Sequence, residues 1–358
     1  MKLLICTQKV DRSDDILGFF HRWIEEFAKH CEQVSVVCLW EGTHEFPENV
    51  RVYSLGKSAQ GRPASGWERL WLRIRYALRL YGYTWRLRNE YDSVFVHMNP
   101  EYVVLGGPLW RVLGKKVVLW YTHREVNFKL RLAVLFADAV VTAAPESLRI
   151  ESKKISIVGH GIDTAHFAAL PLRPPSLLEP RIVSVGRITP IKNLEVIIDA
   201  VSLLRARGVQ ATLDLIGLPT LKSDFAYERQ LHNLVARLKA VSFVSFLGSI
   251  PNTQMGEYYP RYDVAINACP TGGIDKAVLE SMAAGVLTFV SNQVFRRYFA
   301  DYADSLLFAY RNAEDLAQKI QAALMRKDVG ALQAQLRASA KKQGDVSEVV
   351  PRILKVLL

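Results

Sequence analysis

Cysteine is scarce in this 358-residue chain, and acid is in deficit. The four cysteines, Cys6, Cys31, Cys38 and Cys269, form no Cys-x-x-Cys pair and no cluster with histidine at zinc spacing. That pattern argues against a disulfide framework and a structural zinc site, and it reads as buried thiols in a reducing compartment. No run approaches the ~18 consecutive apolar residues that a membrane span needs. The opening Met1-Lys2-Leu3-Leu4-Ile5-Cys6 is too short for the core of a secretion signal and reads as a first buried strand. A cytoplasmic protein is expected, with a place on the inner face of the cell membrane left open by its charge. There is also no Asp-x-Asp pair, hence no carboxylate metal site, and no Ser/His/Asp or Cys/His arrangement for nucleophilic catalysis. Neither a metal nor a cofactor is expected. Lys and Arg number 46 against 35 Asp and Glu, a net charge of +11 that points to an anionic partner. No recognition-helix, zinc or RNA-binding motif accompanies that charge, so nucleic acid is not the expected one.

What the chain does have is 50% apolar residues and a length that favours two domains over one. Short apolar runs alternate with segments of helical period, the pattern of parallel α/β units. The runs include Leu3–Thr7, Val34–Leu39, Ser93–His97 and Lys116–Trp120, then Ile182–Val185, Thr212–Ile216 and Val264–Asn267. A proline-rich stretch interrupts them at 171–180, where neither helix nor ladder forms readily. The expected organisation is therefore an N-terminal Rossmann-like domain over 1–170, completed by a C-terminal helix at 345–358. The linker is expected at 171–180 and a second Rossmann-like domain at 181–344. Two doubly wound domains facing across a cleft would take ligand at the carboxyl ends of their strands.

The most informative segment is Val185-Gly186-Arg187-Ile188-Thr189-Pro190-Ile191-Lys192-Asn193-Leu194. A strand ends at glycine, a cation follows, and a helix begins near Asn193. Glycine permits close backbone approach, a helix start offers N–H groups to an anion, and Arg187 with Lys192 could neutralise a diphosphate from two sides. On spacing alone, two solvated loop cations and a helix cap explain the residues equally well.

The Gly-Arg-x-x-Pro-x-Lys-Asn string resembles glycosyltransferase family 4, the retaining enzymes of GT-B fold. The resemblance implies that Arg187 and Lys192 grip the donor diphosphate and act in catalysis. It implies a second landmark of two glutamates separated by seven residues. Here Glu280 supplies the second, expected at the ribose hydroxyls, while Gly272 stands where the first would contact the transferred sugar. The donor set so implied is Gly186, Arg187, Lys192, Gly248, Gly272, Gly273, Ile274, Asp275, Lys276 and Glu280. Asp275 and Lys276 read equally as a helix cap and a surface ion pair. By the same resemblance His123, at the end of the run Lys116–Trp120, matches a histidine near the reacting centre, although spacing alone reads it as a histidine bonded to a backbone carbonyl at a strand end. Asp14, Asp15 and Gly18 fall where the family has a loop close to the acceptor, although they also suit a helix start.

Between Gly56 and Arg88 lie Lys57, Arg62, Arg69, Arg73, Arg75, Arg79, Arg86 and Arg88, opposed by Glu68 alone. Trp67, Leu70, Trp71, Ile74, Leu78 and Tyr81 recur there at helical spacing. Such a helix either lies on an anionic membrane or packs its stripe on its own sheet. The expectation is a metal-independent retaining transfer from a nucleotide diphosphate sugar to a lipid-linked or cell-envelope glycan. The alternative is a degenerate relative that binds the nucleotide sugar as a scaffold or regulator, motivated by Gly272.

Overall fold

The computed structural model describes residues 1–14, 17–57, 66–270 and 272–358. These form two compact units, Met1–Gly161 with Val346–Leu358, and Ile162–Asp345.

The first unit is a seven-stranded parallel sheet: β1 (Lys2–Val10), β2 (Gln33–Glu41), β3 (Val50–Ser54), β4 (Ser93–His97), β5 (Lys116–Trp120), β6 (Ala139–Thr142) and β7 (Ile155–Ile157). Its order is β3-β2-β1-β4-β5-β6-β7. The central strands carry buried apolar residues on both faces, as at Leu3–Cys6, Val94–Val96 and Val117–Trp120, because both faces are covered, as parallel sheets require. The period of two splits each strand between two cores. Leu3, Ile5, Phe95 and Trp120 pack with Trp23 and Phe27 of helix α1 (Phe20–His30) and with Val349 and Ile353 of the C-terminal helix Val346–Leu357. Leu4, Cys6, Val94, Val96 and Leu119 face the other way. They pack with Leu80 of α2 (Gly66–Arg86), Trp110 of α3 (Pro100–Val112) and Leu130 of α4 (Phe128–Phe136).

Helix α2 settles one of the two alternatives for its stripe. Only Leu80 and Thr84 are buried. The stripe itself faces out, with Trp67 76% and Trp71 68% exposed and Leu70, Ile74, Leu78, Tyr81 and Trp85 exposed beside them. The apolar residues at helical spacing therefore do not cover the sheet; Leu80, Tyr76 and Tyr83, on another face of the helix, do so. Arg62 lies outside the described residues.

The second unit is a five-stranded parallel sheet of β8 (Arg181–Val185), β9 (Thr212–Ile216), β10 (Val244–Gly248), β11 (Val264–Asn267) and β12 (Leu287–Val290), in the order β10-β9-β8-β11-β12. Strand order reverses beside β1 in the first sheet and beside β8 in the second. Such switch points leave a crevice at the strands' carboxyl ends.

The change of unit falls at Gly161 rather than at residue 170. Ile162 N–H donates to the Gly344 carbonyl at 2.7 Å, Thr164 bonds Asp345, and Phe167 packs edge-on against Tyr259. The stretch 171–180, expected as linker, is tied to the second unit instead. Arg173 pairs with Asp263 at 2.8 Å, and Ser176 N–H donates to the same carboxylate at 3.1 Å. Hydrogen bonding of this segment, invisible in its proline content, decides where it belongs. Among the cysteines, Cys6, Cys31 and Cys38 are buried and Cys269 is half-buried; none forms a disulfide. Burial pushes the Cys31 thiol up to about 11 and Cys38 to about 12.

Candidate donor site

In the second unit three neighbouring strands end in glycine. Gly186 follows β8 with φ +144°, Gly217 follows β9 with φ +146°, and Gly248 closes β10 with φ +74°. A Cβ on Gly217 would stand 1.9 Å from the Gly186 carbonyl oxygen, so two backbones meet there with no room for a side chain. Gly217 N–H donates to the Gly248 carbonyl at 2.7 Å. The result is a shelf of backbone at the carboxyl edge of the sheet. Gly217 is absent from the residues singled out in the sequence. Its signal is the repeated strand-then-glycine of Val185-Gly186, Ile216-Gly217 and Leu247-Gly248.

Over this shelf lies Lys192. A methyl on Gly186 would come within 3.3 Å of the Lys192 Cε and Nζ, so glycine makes space for the ammonium. The ammonium bonds the carboxylate of Asp275. Asp275 also accepts from Asn267 Nδ2 at 2.8 Å and from the Ala277 N–H at 3.2 Å, which caps the helix Lys276–Ala283. Burial alone would depress the Lys192 ammonium, but the Asp275 carboxylate outweighs it and holds Lys192 above its ordinary value. Burial would likewise raise Asp275; the Lys192 charge and its hydrogen bonds overcome this and keep the carboxyl low. Both groups are thus charged, and the cation has a countercharge before any ligand arrives.

Glu280 is 5% exposed on the same helix. It accepts from Asn252 Nδ2 at 3.0 Å, and the Tyr259 hydroxyl stands 3.5 Å away. Burial raises its pKa, against the opposing pull of Lys276. A carboxylate has about four acceptor positions, so these two partners leave capacity for a vicinal diol. Burial brings Lys276 down to about 8, although Glu280 and Asp275 draw it upward. Arg187 is exposed and reaches the Thr220 hydroxyl at 3.5 Å. Gly273 accepts at its carbonyl from Asn292 at 3.5 Å, and Ile274 is buried. Gly272 has φ +123°, and a Cβ there would meet nothing within 4 Å. The position expected to carry the first glutamate opens onto empty space.

One expected donor feature is taken up otherwise. The Leu194 N–H, first in the helix Leu194–Ala206, already donates to the Tyr227 hydroxyl at 2.8 Å, and that hydroxyl bonds Glu195 in the helix's first turn. An anion at this end would face a carboxylate. Asn193 is no side-chain cap either. It adopts a left-handed backbone and ties the loop to the Ala268 carbonyl at 3.1 Å. Arg187 and Lys192 are the cations that this segment presents.

The residues expected on the acceptor side lie in the first unit. His123 is exposed beyond β5, edge-on to Tyr121 at 5.7 Å. Asp14 bonds Lys9 and accepts from the Leu17 N–H at 2.6 Å. Gly18 is required by its own loop, since a Cβ would lie 2.5 Å from the Asp14 carbonyl oxygen. Asp15 lies outside the described residues. Among the described residues no three His, Cys, Asp or Glu side chains gather to hold a metal ion, and no helix is long and apolar enough to cross a membrane.

Two parallel-sheet α/β units of this kind constitute the GT-B fold, which the chain shares with solved glycosyltransferases. Residues 179–326, within the second unit, match the model of the family described as Glycosyl transferases group 1. Over 141 residues the chain is 29% identical to WcaL of Escherichia coli K12, provisionally named as a colanic acid biosynthesis glycosyltransferase. The alignment covers 37% of this chain and 33% of WcaL, about a third of that relative's length. Among solved structures, HepE of Anabaena in complex with UDP superposes with a TM-score of 0.74 at 17% identity, covering 100% of this chain and 99% of HepE. WaaG, a glycosyltransferase involved in lipopolysaccharide biosynthesis, superposes with a TM-score of 0.68 at 14% identity over 99% of each chain. At such identities the likeness is one of fold.

Proposed function

We propose that the chain is a metal-independent, retaining glycosyltransferase of family 4 that takes its sugar from a nucleotide diphosphate donor. The observation that carries this is the cluster at the carboxyl edge of the second sheet. There Lys192 lies against Gly186 of the glycine shelf and bonds Asp275, Lys276 and buried Glu280 sit on the helix that Asp275 caps, and Arg187 follows Gly186. The matching family segment supports it by covering those same residues. In this reading Arg187 and Lys192 balance the diphosphate, and Glu280 accepts from the ribose hydroxyls. The bond from the sugar's anomeric carbon to the phosphate oxygen breaks, and a bond to the acceptor hydroxyl oxygen forms on the same face. The acceptor's proton passes to the departing phosphate oxygen, so no side-chain nucleophile takes part. Cations in place of a metal stabilise the leaving charge. His123 donates a hydrogen bond near the reacting centre, with Asp14 and Gly18 on the acceptor side.

The acceptor is a lipid-linked or cell-envelope glycan at an anionic membrane surface. Helix α2 supports this, because its tryptophan stripe is exposed and its flanks carry Arg69, Arg73, Arg75 and Arg79. Each cation near an anionic leaflet contributes about 1 kcal/mol. The site of action is then the cytoplasmic face of the membrane.

The open space at Gly272 favours one other reading, a nucleotide-sugar binder without transfer. Release of nucleoside diphosphate from a panel of nucleotide sugars, without added acceptor, decides between them. Slow hydrolysis of one donor, lost in Lys192→Ala, is the expected result. Binding of a donor with no hydrolysis, and no transfer to membrane extracts, would leave the binder.

A further inference from the structure

A cavity of about 640 Å³ lies within the first unit, beneath α2. Its size is that of a small-molecule site. Leu39, Leu55, Ala77, Leu80, Tyr102 and Leu105 form its walls, so its interior is apolar. Its floor lies at the carboxyl ends of the strands. Gln8 of β1 and Asn99 just beyond β4 both line it, joined by a 3.0 Å hydrogen bond across the point where strand order reverses. A doubly wound sheet places ligands at that point. Yet none of the residues assigned to the donor or to the reacting centre lines this cavity.

Two further features define what fits. Polar groups cluster at one margin, where Lys129 pairs with Glu101 at 2.8 Å and the exposed Arg73 stands beside them, leaving one positive charge in excess. Ile74 both lines the cavity and belongs to the exposed stripe of α2. The apolar interior therefore borders the outward apolar face of the helix, with Ile74 between them. A hydrocarbon chain passing from a bilayer against the outward face of α2 into the cavity would cross from one apolar surface to the next, and Arg73 at the margin suits an anionic headgroup.

We propose that this cavity takes the hydrocarbon chain of a lipid-phosphate acceptor, with the phosphate at Arg73. The proposal rests on the lipid-acceptor reading above and names the part of the acceptor that the first unit holds. A chain bound this way leaves the headgroup at the cavity margin, near the carboxyl ends of the strands.

The test is calorimetric titration of the full chain with dodecyl phosphate below its micellar concentration, beside inorganic phosphate and dodecanol. Saturable binding of one molecule per chain is expected. Ala77→Phe and Leu105→Trp, which fill the cavity from two different helices, should each weaken it at least tenfold. Folding is checked by circular dichroism, and one misfolded variant leaves the other to decide. Arg73→Gln should weaken dodecyl phosphate severalfold and dodecanol little. Trp67→Ser with Trp71→Ser, which spares the cavity walls, should leave dodecyl phosphate binding intact. Lack of saturable binding to wild type overturns the proposal. So does wild-type affinity in the filled variants, or loss of binding in the tryptophan variant alone. Thermal shift with a panel of nucleoside diphosphates, read on the same samples, separates the two readings. Cavity binding without any nucleotide shift would remove the glycosyltransferase and leave the lipid site standing.

Discussion

Lys192 and Asp275 show what a residue-level reading can and cannot reach. The string Gly-Arg-x-x-Pro-x-Lys-Asn marks Lys192 as a candidate from the sequence, but its partner lies 83 positions away and no local pattern pairs them. The pair has a consequence for binding. A diphosphate entering beside Lys192 must share the ammonium with a carboxylate already bonded to it. Asp275→Asn keeps an acceptor for the Ala277 N–H and removes the competing charge. It should tighten the donor nucleoside diphosphate severalfold in a fluorescence or calorimetric titration while lowering stability. The pH sense follows from the direction of the Asp275 shift. Its folded value lies below the ordinary 3.8, so the stabilisation is present above that value and is lost as pH falls through the folded one. The stability advantage of wild type over Asp275→Asn should therefore be full near neutral pH and disappear in acid. Lys276, at about 8, carries charge at neutral pH and loses it above. Affinity for the donor nucleoside diphosphate should fall as pH rises from 7 to 9 in wild type, and Lys276→Met should flatten that fall. An unchanged slope would remove Lys276 from the anion site.

At the scale of elements, periodicity locates strands and helices well, because burial on one or both faces imposes it. The runs at Ser93–His97 and Lys116–Trp120 are strands over those same residues. Periodicity says less about what an apolar face touches. The stripe of α2 is equally consistent with core and with surface until Leu80 and Thr84 prove to be the residues it buries. Trp67→Ser with Trp71→Ser should cut co-sedimentation with phosphatidylglycerol vesicles severalfold. Its unfolding free energy should stay within about 0.5 kcal/mol of wild type, since both side chains are exposed. The glycine shelf is the reverse case. Its three glycines lie in plain view in the sequence, but the close approach that requires one of them is a long-range contact. Gly217→Ala should cost about 2–4 kcal/mol by thermal or urea unfolding, from the clash with the Gly186 carbonyl and the strained φ.

For the whole molecule, the alternation of strand and helix and the restart of the pattern near Arg181 make two α/β units legible. The exact division is not, because it depends on hydrogen bonds such as that from Ile162 to Gly344. The return of the C-terminal helix Val346–Leu357 to the first unit gives Val349, Val350 and Ile353 a place against α1. The donor account belongs to the second unit, within which Gly186, Lys192, Asp275 and Glu280 all lie. Thermal unfolding with and without each of a panel of nucleoside diphosphates, in wild type and Arg187→Ala, tests that account most directly. At about 100 times its dissociation constant the nucleoside diphosphate that the site takes should add about 2.7 kcal/mol to the folded state of wild type, and Arg187→Ala should lose most of it. A folded wild-type protein that no nucleoside diphosphate stabilises would contradict the donor site.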